Sequence, residues 1–407
     1  MKILVINCGS STLKFQVVQV EDVPRFHTDE RRLADGIVDG VGGPATIEFR
    51  AEDSETLRAN VAVADHGEAT GRLLQWLDSV GLLGPNGIEA VGHRVVHGGE
   101  RFVEPTPIND EVIAAIEALS DLAPLHNAPA LSAIRTARAA LQADVPMVAT
   151  FDTAFHRSLP ERASRYAIPT ELAERHDIRR YGFHGLAHRY MVERFSDIAA
   201  TAVGEMKLIT LQLGAGCSAT AVDGGRSVDT SMGFTPLEGL MMGTRSGDVD
   251  PSLVGFLARR EEVSAEEVEG WLNTRSGLLG VSGSSADMRQ LLEAKRQGDL
   301  RASLAVDMFC YRVRKYIGAY LAVLDGADAI IFGGGIGENA PEVRARICAE
   351  MDWCGLTLDP DRNAEAIGDE TRISSDVSTL QAHVIPVDEA SIIVRDTLGC
   401  LRRPGRD

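Results

Sequence analysis

The sequence predicts an α/β fold built from two similar halves, and three observations point there. Strand-like and helix-like hydrophobic patterns alternate along the chain. A hairpin pattern with a small polar tip occurs at the start and again roughly two hundred residues later. Strand patterns end in Asp152, in Glu389 and in the run Gly333–Gly337, the places where α/β proteins carry their chemistry.

The first hairpin opens with Ile3-Leu4-Val5-Ile6, turns through Asn7-Cys8-Gly9-Ser10-Ser11-Thr12 and resumes with Leu13-Lys14-Phe15-Gln16-Val17-Val18. A glycine followed by three hydroxyl residues can bring N–H groups and hydroxyls to a phosphate, and it equally suits an ordinary turn. Residues 1–50 read as β-rich, with turns at Asp39-Gly40 and Gly42-Gly43-Pro44. A helical pattern over 67–79 sets Leu73, Leu74 and Leu77 on one side. Ile88–Gly92 reads as a strand entering His93-Arg94-Val95-Val96-His97-Gly98-Gly99. Asn109 is suited to cap a helix whose Val112, Ile113, Ile116 and Leu119 share a face, and Asn127 to cap another with Pro129 in its first turn. Pro146–Phe151 is a strand delivering Asp152.

Residues 153–206 are mixed and contain Arg179-Arg180-Tyr181-Gly182-Phe183-His184-Gly185. The second hairpin runs Lys207–Leu213, Gly214-Ala215-Gly216-Cys217-Ser218, then Ala219–Val222 before an Asp223-Gly224-Gly225 turn. A polar, glycine-rich stretch fills 224–250, and helices dominate 251–325. Ala329-Ile330-Ile331-Phe332 is a buried strand entering Gly333–Asn339, followed by a helix carrying Arg344. The break between halves is expected just after Asp152, with the last elements, around 384–399, crossing back. The expected domains are 1–152 with 388–407, and 153–387.

A chain of 407 residues suits two or three domains, and its net charge of −18 disfavours nucleic acid and anionic membrane surfaces as partners. A local arginine cluster can still bind an anion. The six cysteines form no CxxC pair, which fits reduced thiols in a cytoplasmic protein. The apolar run before Asn7 is too short for a signal peptide, and no stretch approaches the ~20 apolar residues of a membrane span.

Arg94 and Arg245 each sit in a glycine-rich loop without an i,i+4 partner. A planar fork in such a loop can bind a carboxylate or phosphate bidentately, or it can be a solvated charge. Asp152 and Glu389 have the address of catalytic or Mg²⁺-binding carboxylates, and of simple turn caps. His184 can donate to developing negative charge, or it can be structural. The run from Gly333 to Gly337, between strand and helix, fits an anion-binding turn. It is neither a P-loop nor a complete dinucleotide fingerprint, which argues against P-loop NTPases and simple NAD enzymes.

From Met1 to about Leu398 the chain resembles the acetate kinase family. The resemblance is carried by Val5-Ile6-Asn7 through Lys14, Gly92–Gly99, Phe151-Asp152-Thr153-Ala154-Phe155-His156, Arg180–Gly185, Asp229–Leu240 and Gly335-Ile336-Gly337-Glu338-Asn339. It implies two duplicated actin-like, ribonuclease H-like α/β domains with a nucleotide cleft between them. It also implies reversible, Mg²⁺-dependent (Mn²⁺ being a possible substitute), direct in-line phosphoryl transfer from ATP to acetate, giving acetyl phosphate and ADP, and a homodimer. By position, Arg94 and Arg245 resemble the clamp on carboxylate and phosphoryl group, and His184 and Arg245 its transition-state stabilisers. Asp152 resembles the residue beside the attacking carboxylate and the metal, organising metal and geometry rather than taking a proton, because acetate is already an anion. Asn7 and Glu389 match the metal neighbourhood. Ser10, Thr12 and Lys14 match the first phosphate turn. Gly214, Ala215 and Gly216 match the second. Asp287, Met288, Arg289, Gly335, Ile336, Gly337, Asn339 and Arg344 match the nucleotide pocket. Arg94, Val96, Leu125, Phe183 and Pro236 match the acetate pocket, and His126 a further active-site histidine.

The chain departs from the pattern at two motifs. Thr12 replaces a usual Ser, and the second hairpin reads Gln212-Leu213-Gly214-Ala215-Gly216-Cys217 where the family has His-Leu-Gly-Asn-Gly-Ser. The missing Asn affects the details of phosphate contact rather than the reaction class. Propionate kinase is the nearest rival, since one methylene separates the substrates, and Val96 favours the smaller acid. A non-enzymatic nucleotide switch would not need both arginines. A pyrophosphate-dependent kinase fits poorly with the small Gly335-Ile336 pair.

Overall fold

The computed structural model describes residues 1–21, 30–52, 54–121 and 124–402, without the side chains at 121 and 124–126. The chain forms two compact units, Met1–Ala154 with Asp388–Asp407, and Phe155–Val387.

The first unit holds strands β1 (Lys2–Cys8), β2 (Thr12–Val20), β3 (Glu30–Asp39), β4 (Gly43–Ala51), β5 (Leu57–Val63), β6 (Ala90–Val95), β7 (Thr106–Pro107) and β8 (Met147–Phe151). They form one sheet in the order β5-β4-β3-β2-β1-β6-β8-β7. The first hairpin pairs Ile3 with Val18 and Cys8 with Leu13, while β1, β6 and β8 run parallel. Strand β1 is apolar on both faces, and Ile3, Leu4, Val5 and Ile6 are all buried, as a central strand covered on both sides requires.

Helix α1 (His66–Ser79) starts at Asp65, whose carboxylate accepts the Glu68 N–H at 2.8 Å, and it buries Leu73, Leu74 and Leu77. Trp76 of that helix meets Phe15 and Phe49 with ring centroids 5.8 and 5.2 Å away. Asn109 caps α2 (Asp110–Ala118) by accepting the Val112 N–H at 2.9 Å.

Asn127 is not the cap that the sequence suggests. Helix α3 spans Pro124–Ala140, so Asn127 and Pro129 lie inside it. The Asn127 side chain accepts the His97 N–H and donates to the His97 carbonyl, each at 3.0 Å. A buried amide that satisfies a loop residue's two backbone groups gains more there than at a solvent-facing helix start. The last helix, Glu389–Arg402, packs on β6: a Cβ on Gly92 would lie 2.5 Å from Ile393 Cγ2 and 2.6 Å from Thr397 Oγ1.

The second unit holds β9 (Lys207–Leu213), β10 (Cys217–Asp223), β11 (Arg226–Thr230), β12 (Ala329–Gly333), β13 (Thr371–Arg372) and β14 (Gln381–Val384), in the order β11-β10-β9-β12-β14-β13. Its first five strands repeat β3-β2-β1-β6-β8: an antiparallel three-stranded meander, then two strands parallel to its first. The hairpin repeat in the sequence is thus the visible part of a duplicated sheet. Helices Gly185–Ala199 and Leu300–Leu324 bury Met191, Phe195, Phe309 and Ile317 in its core. Among the described residues, no helix is long and apolar enough to cross a membrane.

Candidate active site

In the first unit, four of the candidate residues converge at the ends of parallel strands. Asn7 is near the end of β1, Arg94 is on β6, Asp152 follows β8, and Glu389 begins the last helix. Arg94 donates through Nε to Asp152 Oδ1 at 3.0 Å and through Nη2 to Asp152 Oδ2 at 2.5 Å. Its Nη1 donates to Asn7 Oδ1 at 3.0 Å, and Asn7 Nδ2 donates to Glu389 Oε2 at 2.6 Å. The Glu389 carboxylate is also 3.9 Å from Arg94 Nε. Asp152 is fully buried and Arg94 nearly so. Burial alone would lower the Arg94 guanidinium, but Asp152 and Glu389 outweigh it and push it up. Burial pushes the neighbouring Cys8 thiol up to about 12, against the pull of Arg94. The result is a permanently charged fork of fixed orientation, with N–H groups to spare for an anion.

The first turn is closed by the Gly9 N–H on the Thr12 carbonyl at 2.8 Å. Ser10 and Lys14 are exposed, and Lys14 is in register with Asn7. Val96 is buried in this unit. Leu125 and His126 lie in α3, and their side chains fall outside the described residues.

In the second unit, the turn after β9 is the organising feature. The Gly214 N–H donates to the Gly216 carbonyl at 3.1 Å, and the Cys217 thiol to the Gly214 carbonyl at 3.2 Å. The Gly243 N–H donates to the Ala215 carbonyl at 2.9 Å, which ties the loop carrying Arg245 to the turn. A Cβ on Gly216 would lie 3.5 Å from His184 Nε2 and 3.6 Å from Arg245 Nη1, so both side chains reach the same turn. Arg245 Nη1 donates to the Pro236 carbonyl at 3.3 Å. Burial holds Arg245 below its ordinary range, with the Cys217 thiol pulling the other way.

His184 has φ 57°, in the left-handed region that non-glycine residues occupy mainly under local constraint. His156 supplies that constraint: its Nε2 is 2.9 Å from the Phe183 carbonyl, and its Nδ1 is 2.9 Å from Ser227 Oγ. Phe183 itself is buried.

Strand β12 ends beside β9, with Gly333 in register with Gln212. The turn that follows is backed by Leu213, whose backbone would lie 2.6 Å from a Cβ on Gly334. Gly335 and Asn339 are exposed, Ile336 is half-buried, and a Cβ on Gly335 would meet nothing within 4 Å. Gly337 is buried against Phe332. Arg344 lies behind this turn and not on its open face. It is fully buried, and its guanidinium donates to the carbonyls of Gly337 (2.8 Å), Glu338 (3.0 Å), Asn363 (2.8 Å) and Ala366 (2.6 Å) and to Asn363 Oδ1 (2.9 Å). Asp287 caps the helix Met288–Arg296 and pairs with Arg289, whose side chain is 91% exposed, while Met288 is buried.

The model of the acetokinase family matches residues 2–395. The chain belongs to that family. An acetate kinase of Solibacter usitatus is 50% identical over 408 residues, covering 98% of each chain. One of Chloroherpeton thalassium is 45% identical over 416 residues, covering 99% of this chain and all of its own. The crystal structure of Porphyromonas gingivalis acetate kinase matches with a TM-score of 0.89 at 38% identity, covering 98% of this chain and all of that one. A propionate kinase from Francisella tularensis also has a TM-score of 0.89, at 37% identity, covering 98% and 99%. The fold is the family's duplicated actin-like α/β architecture, and the family's enzymes are phosphotransferases.

Sequence reasoning missed His188, Ser218 and Thr210, which stand behind His184. The available signal was the short spacing of His184 and His188, the first capping the helix Gly185–Ala199 and the second one turn into it.

Proposed function

We propose that this protein transfers the γ-phosphoryl group of ATP to acetate, reversibly and by direct in-line displacement. A carboxylate oxygen forms the new bond to phosphorus as the bond to the ADP oxygen breaks, and no proton need move. The observation that carries the reading, beside family membership, is the Arg94 cluster, in which a buried carboxylate and an amide orient one guanidinium. Such a fork matches a carboxylate or a phosphoryl group. In the second unit, His184 and Arg245 serve as donors to the equatorial oxygens, where charge accumulates. The N–H groups of Gly214–Gly216 serve the phosphates, and the open face of Gly335 and Ile336 serves the nucleoside.

The residues present suit Mg²⁺. Asn7, Glu389 and Asp152 offer hard oxygen donors, which suit an ion that takes one or two protein ligands and completes its shell with phosphates and water. When bound, it supplies charge neutralisation for the transferring group.

The finer assignments follow the same reading. All six cysteines are thiols, which suits the cytoplasm. The helix Leu300–Leu324 exposes Leu300, Leu304, Met308 and Tyr311 along one face, which a second copy would cover in a homodimer. Light scattering of Tyr311→Glu against the unaltered chain tests that point.

Propionate is the second substrate to weigh, because the Francisella propionate kinase matches in TM-score as well as the Porphyromonas acetate kinase does. The deciding experiment is hydroxamate detection of acyl phosphate from ATP with acetate, propionate or butyrate. Acetate is expected to have the highest kcat/KM. A higher value for propionate would overturn the acetate assignment, and no acyl phosphate from any acid would overturn the reaction.

A further inference from the structure

We infer that Ser218, His188 and Thr210 are positioning residues that hold His184 as its Nε2–H tautomer, the form able to donate to a phosphoryl oxygen. The inference rests on the reading of His184 as a donor. It is carried by an unbroken chain of four side chains. His184 Nδ1 is 2.8 Å from Ser218 Oγ, Ser218 Oγ is 2.8 Å from His188 Nε2, and His188 Nδ1 is 2.7 Å from Thr210 Oγ1. Thr210 on β9, Ser218 on β10 and His188 in the helix Gly185–Ala199 are all fully buried. The hairpin register sets Ser218 opposite Gln212, two residues from Thr210, so both hydroxyls project from one face of the sheet.

Proton counting gives the chain its direction. Burial holds His188 well below its ordinary range, so it is neutral and carries one N–H. Among the described residues, the Thr210 hydroxyl has no hydrogen bond other than that to His188. If Thr210 accepted from His188, its own proton would be buried without an acceptor, at full desolvation cost. Thr210 therefore donates to His188 Nδ1. His188 must then carry its proton on Nε2 and give it to Ser218 Oγ. Ser218 has one proton left, and the remaining partner is His184 Nδ1. A neutral His184 that accepts at Nδ1 is protonated at Nε2, the nitrogen 3.5 Å from the Cβ position of Gly216 and close to Arg245. The orientation of the ring and the identity of its donating atom thus come from three fully buried residues.

The experiment is long-range ¹H–¹⁵N correlation of ¹⁵N-histidine-labelled protein, with the His184 signals identified by their loss in His184→Gln. The expected spectrum has a pyridine-type Nδ1 and a pyrrole-type Nε2 at His184. Ser218→Ala is expected to mix the two tautomers and to lower kcat about 10- to 100-fold, as loss of an orienting partner does, with KM for acetate and ATP within about threefold. Ser218→Thr keeps the hydroxyl and is expected to restore most of kcat. A wild-type His184 protonated at Nδ1 overturns the inference, as does an unchanged tautomer in folded Ser218→Ala. Should Ser218→Ala not fold, the wild-type spectrum alone decides. Full activity in His184→Gln would instead overturn the reading of His184 as a donor, which the tautomer measurement does not depend on.

Discussion

Replacing Asp152 by Asn tests what the buried carboxylate does for Arg94. Asp152 accepts two charge-assisted hydrogen bonds from the guanidinium, at 3.0 and 2.5 Å, and is itself fully buried. Asn keeps the volume and one accepting oxygen, so one of the two bonds and the charge are lost. A hydrogen bond to a charged group is worth about 1.5–3 kcal/mol. If that energy serves to hold Arg94 in its transition-state position, kcat falls roughly 10- to 150-fold. The assay is steady-state acetyl phosphate formation between pH 6 and 9, with circular dichroism to confirm folding. An orienting role predicts a constant factor of loss across that range, because no proton passes through Asp152. A loss that shrinks toward low pH would show instead that Asp152 acts as a base. A folded Asp152→Asn protein with kcat within about twofold of wild type would refute the orienting role itself.

Arg245→Lys is expected to lose about 10²-fold in kcat with little change in ATP affinity, because an ammonium lacks the planar fork that matches two oxygens of a phosphoryl group; equilibrium ATP binding alongside kinetics checks the split. Ala215→Asn is expected to raise kcat by less than about tenfold, since Gly214, Gly216 and Gly243 already fix the turn through backbone bonds and the amide adds one neutral donor. A hundredfold gain in the same assay would mean that the native turn is defective. Burial holds His93 down to about 3 and His156 and His383 down to about 4, against an ordinary 6.5. Each binds fewer protons folded than unfolded, so its contribution to stability is present above pH 6.5 and is lost as pH falls toward the folded-state values. Urea midpoints should decline over that window, and His156→Gln should flatten part of the decline.

The fold was legible because its signals are local. The apolar run Ile3–Ile6 and the hydroxyl-rich tip mark a hairpin in a dozen residues, and the same pattern at Lys207–Val222 exposed the duplication. The side-chain network was less legible, because hydrogen bonds between distant residues leave no periodic trace. Asn7 and Glu389 are 382 positions apart yet bonded; Glu389 is marked in the sequence by its place after a strand pattern, and Asn7 only by the family resemblance. Asn127 misled because an Asn before a Pro has the composition of a helix start, while its actual partner, His97, is set by tertiary packing. Arg344 matches the family's nucleotide pocket by position, and nothing in a sequence separates a charge that meets a ligand from one that gathers carbonyls, as this guanidinium does. Thr210 reads as a strand residue and Ser218 as part of the turn, each with an ordinary hydroxyl. Their alignment with two histidines depends on strand register and on the seating of a helix.

The return of the last helix to the first unit has a consequence for how the protein is made. The first unit consists of two stretches of chain separated by the whole of the second. During synthesis the second unit is complete, and free to fold, before Ile393 and Thr397 have left the ribosome to cover Gly92 on β6. Until then the first sheet lacks that covering helix, and Arg94 lacks the neighbouring carboxylate of Glu389. Maturation of the arginine cluster is thereby tied to synthesis of the helix that begins at Glu389, so a polypeptide released before Glu389 can carry a finished second unit and still have no complete anion site in the first.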